Sequence, residues 1–219
     1  MSTGLRWAVV PTRGDRLLVL DQCLAAIAPQ VDGIVVVDNS NDGIVLREWP
    51  TARCVVLHEP TQPPNLSYLW NLGLKRAYQE HAAYVAVLND DAVVSPTWFQ
   101  DVVTVMNQHR CAAGSFGARS FTIHGTPGVT ALSQRLAGYA FILRAVWNLL
   151  ADEQLQWWCG DNDLDMQARV CGGTVVLAGD PVKHLFPDKS TRENRALQLR
   201  AHEDMRLFIE KWGFRPWPA

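Results

Sequence analysis

The sequence contains no Cys-x-x-Cys pair, no apolar run of membrane-spanning length, no internal repeat or low-complexity tract, and no excess of charge of one sign. Each absence removes a class of protein. Five cysteines (Cys23, Cys54, Cys111, Cys159 and Cys171), odd in number and widely scattered, suggest neither a disulfide framework nor a zinc site. A formal net charge of −2 offers no broad attraction to nucleic acid or to an anionic membrane surface. The first apolar run ends at Pro11 after five residues, too short for a signal peptide or a membrane span. The expected setting is therefore the cytoplasm, with any membrane contact peripheral.

What is present reads as a globular chain. Of 219 residues, 48% are hydrophobic and 19% charged, which suits a packed core rather than disorder, and the length suits one domain over residues 1–219. Trp7-Ala8-Val9-Val10 is a short strand pattern broken by Pro11-Thr12-Arg13-Gly14-Asp15, and amphipathic spacing then predicts a helix over 17–28. Gly33-Ile34-Val35-Val36-Val37 is a β-branched run that stops at Asp38-Asn39-Ser40, a cluster of turn formers. A third strand is expected over 54–57 and a helix over 66–80. A fourth apolar run, 84–88, ends in Asn89-Asp90-Asp91, and Pro96 is expected to open a helix reaching about residue 109. Strands alternating with helices predict an α/β fold with a mainly parallel central sheet covered on both faces. Ligands of such sheets bind beyond the carboxyl ends of the strands, so Asp38 and Asp91 are expected to face one crevice.

The second half is less regular. A Gly- and Ser-rich stretch (114–130), an apolar segment (136–150), a Trp-rich stretch running into 157–173, a late strand (175–177) and a charged helix (193–212) read as a smaller α+β region beside the sheet. Trp7, Trp98 and Trp147 lie in apolar patterns and are expected in the core.

Carboxylates placed where a buried strand ends are hard oxygen ligands. They suit Mg²⁺ or Mn²⁺, which typically take one or two carboxylates plus substrate phosphates. The plainer alternative for Asp90 and Asp91 is that they cap the helix after Pro96. Asp161, in Gly160-Asp161-Asn162-Asp163-Leu164, could accept a proton from an attacking hydroxyl; its plainer alternative is an N-cap.

The order of these pieces resembles the family 2-like glycosyltransferases of GT-A fold. Pro11-Thr12, Val36-Val37-Asp38-Asn39-Ser40, Asn71-Leu72-Gly73 and Asn89-Asp90-Asp91 resemble the family's opening loop, strand end, helix motif and acidic motif, in the family's order. Gly138-Tyr139-Ala140-Phe141-Ile142-Leu143-Arg144 resembles its apolar strand ending in Arg, and Gly160 to Leu164 its Glu-Asp-x-Asp-Leu motif. Val182-Lys183-His184 with Ser190 resembles its late His and Ser.

The resemblance implies a Rossmann-like sheet whose first half, to about residue 112, binds a nucleoside diphosphate sugar, a UDP-sugar by preference. Residues from about 113 would bind the acceptor and carry catalysis. It places Pro11, Thr12, Arg13, Asp38, Asn71, Asn89 and Asp90 around the donor, with Lys189 and Arg192 neutralising its diphosphate. Asp91 and His184 would hold Mn²⁺ or Mg²⁺, Asp161 would be the catalytic base of an inverting transfer, and Gly138, Asp163, Trp157 and Trp158 would meet the acceptor. Two positions depart from the family: Gly160 stands where an acid is usual, and Gln167 where an Arg is usual.

Two other readings stay open. A nucleotidyltransferase also presents acids at strand ends, and Gly160 admits a catalytically inactive nucleotide- or carbohydrate-binding module. The acceptor hydroxyl is not specified: a glycan, a lipid-linked saccharide, a small molecule or a protein, with a modified nucleic-acid base the remotest candidate.

Overall fold

A computed structural model describes residues 4–117, 121–186, 191 and 194–218. The first half is built from β1 (Leu5–Thr12), α1 (Leu17–Ile27), β2 (Gly33–Asp38), β3 (Arg53–His58), α2 (Leu66–Gln79) and β4 (Ala82–Leu88). The short strand β5 (Ala92–Val94) and α3 (Trp98–His109) follow. The second half adds β6 (Ala113–Gly117), β7 (Thr122–His124), β8 (Ala140–Arg144), α4 (Gly160–Cys171), β9 (Thr174–Ala178), β10 (Val182–His184) and α5 (Arg195–Trp212).

Eight strands form one sheet in the order β3-β2-β1-β4-β8-β6-β9-β7, and only β8 and β7 run against the other six. The apolar runs of the central strands are continuous because both faces are covered. Side chains alternate across the pleat. Ala8 and Val10, Ile34 and Val36, and Ala86 and Leu88 pack with Leu20 and Leu24 of α1 and Trp98 and Val102 of α3. Trp7 and Val9, Val35 and Val37, and Val85 and Val87 pack with Leu69 and Leu74 of α2 and Leu164 and Ala168 of α4. Gly73 lets α2 lie flat on the sheet, since a β-carbon there would overlap Val9 and press on Val37. A third cluster joins α4 to α5 through Leu155, Cys159, Met166 and Phe208, and a fully buried ring such as Phe208 contributes roughly 1.5–3 kcal/mol.

From β1 the chain steps outward to β2 and β3, then returns to lay β4 on the other side of β1. Ligands of such sheets bind at this kind of reversal, beyond the carboxyl ends of the strands, here β1 and β4.

Several expectations are corrected. The helix after Pro96 starts at Trp98, with Thr97 as an N-cap whose hydroxyl donates to Asp101 Oδ2 at 2.7 Å rather than accepting a helix N–H. Asp90 and Asp91 do not cap it, because β5 stands between and pairs with β10 in a separate antiparallel ribbon, which the sequence reading did not anticipate. Within the apolar segment 136–150, the strand expected to end at Arg144 is β8, the antiparallel partner of both β4 and β6, and a 3₁₀ turn over Ala145–Trp147 follows it. Trp7 and Trp98 are core residues, but Trp147 is 41% exposed. Among the described residues no helix is long and apolar enough to cross a membrane.

Candidate active site

The register between β1 and β4 runs Val9 to Val87; three residues further on, Thr12 falls opposite Asp90, and its Oγ1 donates to Asp90 Oδ2 at 2.8 Å. The other Asp90 oxygen lies 3.4 Å from an Arg16 guanidinium nitrogen. Burial raises the Asp90 pKa and the neighbouring Asp91 adds to this, with the Thr12 hydrogen bond and Arg16 opposing.

Asp91 is held by the β5–β10 ribbon, in which Ala92 pairs with His184. Its Oδ1 is 3.1 Å from His184 Nε2, its Oδ2 accepts the Phe186 N–H at 3.1 Å, and its carbonyl accepts the Leu185 N–H at 3.0 Å. Burial works to raise this carboxyl's pKa, but His184, Arg16 and the Phe186 N–H together hold it below the ordinary value. The His184 ring stacks on Tyr139 with centroids 4.6 Å apart, and the Tyr139 carbonyl accepts the Asn89 N–H at 2.9 Å. The acidic motif is therefore clamped on both sides.

Asp161 approaches through Gly138, the neighbour of Tyr139: a β-carbon on Gly138 would stand 2.5 Å from Asp161 Oδ2. The α4 N-cap is Cys159, in the left-handed region at φ 63° and without a side-chain cap bond, so Asp161 lies in the first turn rather than at the cap. There its Oδ2 accepts from the Asn162 side-chain amide at 3.4 Å, and the helix dipole favours a carboxylate in this turn. Burial nevertheless raises its pKa, against the opposing charge of Arg135. Arg135, which the sequence reading missed, spreads over the Trp217 ring at 4.4 Å, and Trp217 meets Trp158 edge-on at 6.3 Å. A cation and two indoles thus border the side on which Asp161 lies.

Other expected site residues brace the walls. Asp38 is 0% exposed, and its oxygens accept the Ser40 and Ile44 N–H groups at 2.9 and 2.8 Å, which folds the loop after β2 back on itself. Asn71 is buried and mimics a strand partner, exchanging hydrogen bonds with the Ala151 backbone in both directions. Pro11 is buried at the end of β1, whereas Arg13 is exposed and paired with Asp15 at 2.7 Å. Asp163, in the first turn of α4, has its four lone-pair positions taken, by the Asp152 N–H, Gln167, Trp212 Nε1 and Lys211. Gln167 thereby does local bracing where the family's usual Arg would stand. Gly160 has no space for a side chain: a β-carbon would meet Ser67 Oγ at 2.5 Å and Trp70 at 3.1 Å.

Trp157 and Trp158 are placed by Asp204, a buried acid of α5 that carried no signal in the sequence. Its carboxylate accepts the N–H groups of Gln156, Trp157 and Trp158 at 3.0, 2.7 and 2.7 Å. Trp157 Nε1 in turn donates to Thr191. The expected diphosphate contacts Lys189 and Arg192, with Ser190, lie outside the described residues.

The donor set at Asp91 and His184 fits a divalent cation. Asp91 Oδ1 and His184 Nε2, a hard carboxylate oxygen and an imidazole nitrogen 3.1 Å apart, are the atoms that would hold it. Among the described residues no group of three or more His, Cys, Asp or Glu is arranged to hold a metal, so other ligands would come from phosphate oxygens and water.

Comparison with known proteins agrees with this architecture. The profile of the family described as "Glycosyl transferase family 2" matches residues 7–156. No curated protein sequence gives a significant match. Among solved structures, S. aureus TarS residues 1–349 superposes with a TM-score of 0.60 at 14% identity, covering 94% of this chain and 70% of that one. The same TarS fragment in complex with UDP-GlcNAc gives a TM-score of 0.57 at 15% identity, covering 94% of this chain and 71% of that one. GalNAc-T7 with UDP, GalNAc and Mn²⁺ gives 0.58 at 13% identity, over 80% of this chain and 42% of that one. At these identities the likeness is one of fold, the GT-A fold.

Proposed function

Because the chain belongs to glycosyl transferase family 2, we propose that it moves a sugar from a nucleoside diphosphate sugar, preferably a UDP-sugar, to an acceptor hydroxyl with inversion at the anomeric carbon. The observation that carries this reading is the run of contacts from Asp91 through His184 and Tyr139 to Gly138 and Asp161, which joins the Asp91–His184 pair to a carboxylate 70 residues away in sequence (161 − 91). That TarS and GalNAc-T7 are seen with UDP or UDP-GlcNAc supports the choice of uridine.

In this reading the first half of the chain holds the donor and residues from about 113 hold the acceptor. Pro11, Thr12, Arg13 and the Asp38–Ser40 loop line the nucleotide side, with Asn71, Asn89 and Asp90 keeping that wall in place. A divalent cation, Mn²⁺ or Mg²⁺, held by Asp91 and His184 would supply positive charge to the departing diphosphate. Lys189 and Arg192, which follow His184 in the sequence, would add charge. Asp161 accepts the proton of the acceptor hydroxyl as that oxygen attacks, and burial, by raising its pKa, makes it a stronger base than an exposed aspartate. Trp157 and Trp158 offer flat apolar faces to a glycan, lipid-linked saccharide or other acceptor, and Asp163 fixes α4 beneath them. Five free cysteines support a reducing, cytoplasmic setting.

Calorimetric titration of the full chain with UDP, GDP, dTDP and UDP-GlcNAc, each with and without Mn²⁺, tests this reading together with sugar-release assays. UDP binding that tightens with Mn²⁺, and slow release of the sugar from a UDP-sugar, are the expected results. Pyrophosphate release from a nucleoside triphosphate and a sugar phosphate would make the protein a nucleotidyltransferase. Nucleotide binding with no turnover toward any acceptor would make it a binding module.

A further inference from the structure

Arg16 stands at the N-cap of α1, where Ser, Thr, Asp or Asn ordinarily accepts an N–H, and where a cation opposes the helix dipole. An arginine there satisfies no helix donor, and it makes no side-chain cap bond. Its guanidinium reaches across the crevice instead, 3.4 Å from Asp90 Oδ1 and 3.6 Å from Asp91 Oδ2, with one flank over the Phe186 ring at 5.3 Å. Asp15 lies 3.7 Å from its Nε, which is buried and makes no hydrogen bond among the described residues. A residue poor for its helix but matched to two carboxylates of another strand end is placed for the site rather than for the fold.

We propose that Arg16 is the resident counter-cation of the Asp90–Asp91 pair, and that it turns from these carboxylates to the diphosphate when the donor binds. The inference rests on the nucleotide-sugar reading above. Asp91 presents its two oxygens to different partners: Oδ1 faces His184, with which it would hold a divalent ion, and Oδ2 faces Arg16 and the Phe186 N–H. A fixed positive charge beside that site weakens binding of a bare metal ion, by Coulomb repulsion. A diphosphate bridging the two removes the repulsion and gains a planar fork suited to phosphate oxygens. The side chain is 27% exposed and its guanidinium lies over the Phe186 ring, so the head can turn its donors from the carboxylates to a diphosphate while one face stays on that ring. Metal and donor would then bind synergistically, and Arg16 would be the source of the coupling.

Mn²⁺ and UDP titrations of the full chain and of Arg16→Gln and Arg16→Lys test this without turnover. Arg16→Gln should bind Mn²⁺ alone roughly fivefold more tightly than the unaltered chain, because a neighbouring charge is gone. It should bind UDP in the presence of Mn²⁺ roughly tenfold more weakly, because a charge-assisted contact is lost. Arg16→Lys keeps the charge and should track the unaltered chain in the Mn²⁺ titration. As a check needing no substitution, the Arg16 Nε–H resonance should shift on adding Mg²⁺ and again on adding UDP. Equal or weaker Mn²⁺ binding by Arg16→Gln, or a resonance that UDP leaves in place, overturns the proposal. If the unaltered chain binds UDP with Mn²⁺ and Arg16→Gln matches it, this inference alone falls. If the unaltered chain binds no nucleoside diphosphate, the donor reading falls with it.

Discussion

Gly138 lies so close to Asp161 that a methyl group on its α-carbon would stand 2.5 Å from the Asp161 carboxylate oxygen. The glycine is needed for space and not for backbone freedom, and the space belongs to the proposed base. Gly138→Ala should therefore displace Asp161 while leaving the sheet intact. The expected outcome is a fall in turnover of about a hundredfold, the scale of a 1 Å misplacement of a catalytic group, with UDP affinity unchanged. Steady-state kinetics beside calorimetry reads both; full turnover would mean that Asp161 is not the base.

Asp161→Asn separates chemistry from stability. Burial makes the folded protein prefer the protonated carboxyl, so the ionised form costs stability. That cost is fully present above the folded-state pKa and disappears as pH falls below the unfolded value near 4. The amide removes it. Turnover should drop by about 10²–10⁴-fold, while Tm at pH 7 rises by roughly 2–4 °C, a gain that vanishes at about pH 4. In the unaltered chain kcat/KM should fall with acid on a limb lying above the ordinary aspartate range. A limb at the ordinary value would assign it to another group.

His184→Ala leaves Asp91 as a single ligand and removes the ring that stacks on Tyr139. The contribution of Mn²⁺ to UDP binding should fall by at least about tenfold, with metal-free UDP binding retained. Calorimetry with and without Mn²⁺ measures it, and an unchanged metal effect would remove His184 from the cation site.

Asp204→Ala strands three backbone N–H groups of the Gln156–Trp158 loop in a buried setting. A cost of about 2–4 kcal/mol is expected, lowering Tm by roughly 4–12 °C, with acceptor KM raised more than donor KM. Thermal unfolding and two-substrate kinetics check it; equal effects on both KM values would detach the loop from acceptor binding.

Restoring the family's acid by Gly160→Glu should bring no activity. The new side chain would collide with Ser67 Oγ and the Trp70 ring, and such overpacking costs about 1–3 kcal/mol. Adding Ser67→Gly should recover part of the lost Tm. A gain in turnover from the single substitution would show that the glycine is a lesion in the site rather than a packing requirement.

Much of the first half was legible because its signals are local. The β-branched run of β2 ends in Asp38 and the apolar run of β4 in Asn89-Asp90-Asp91, and the elements appear within a residue or two of their expected bounds. The short strands β5, β7 and β10, three residues each, were not legible, because so short a segment is strand only by virtue of its partner. Arg16, Arg135 and Asp204 were missed for a related reason. Each sits in a charged or mixed stretch where a solvated side chain is the ordinary expectation, and its role appears only with the partner it meets across the fold.

The sequence by itself determined which strands would be buried, that their carboxyl ends would carry acids, and which carboxylates stand at the family's motif positions. Those properties follow from hydrophobic period and turn chemistry, which act over a few neighbouring residues. The tertiary structure decided how the carboxylates divide their labour. Asp38 and Asp163 have their oxygens taken by the protein's own donors, whereas Asp91 meets His184 and Arg16, and Asp161 meets Gly138. A carboxylate's role depends on which donors, cations and empty space surround it, and chain segments far apart in sequence supply those surroundings.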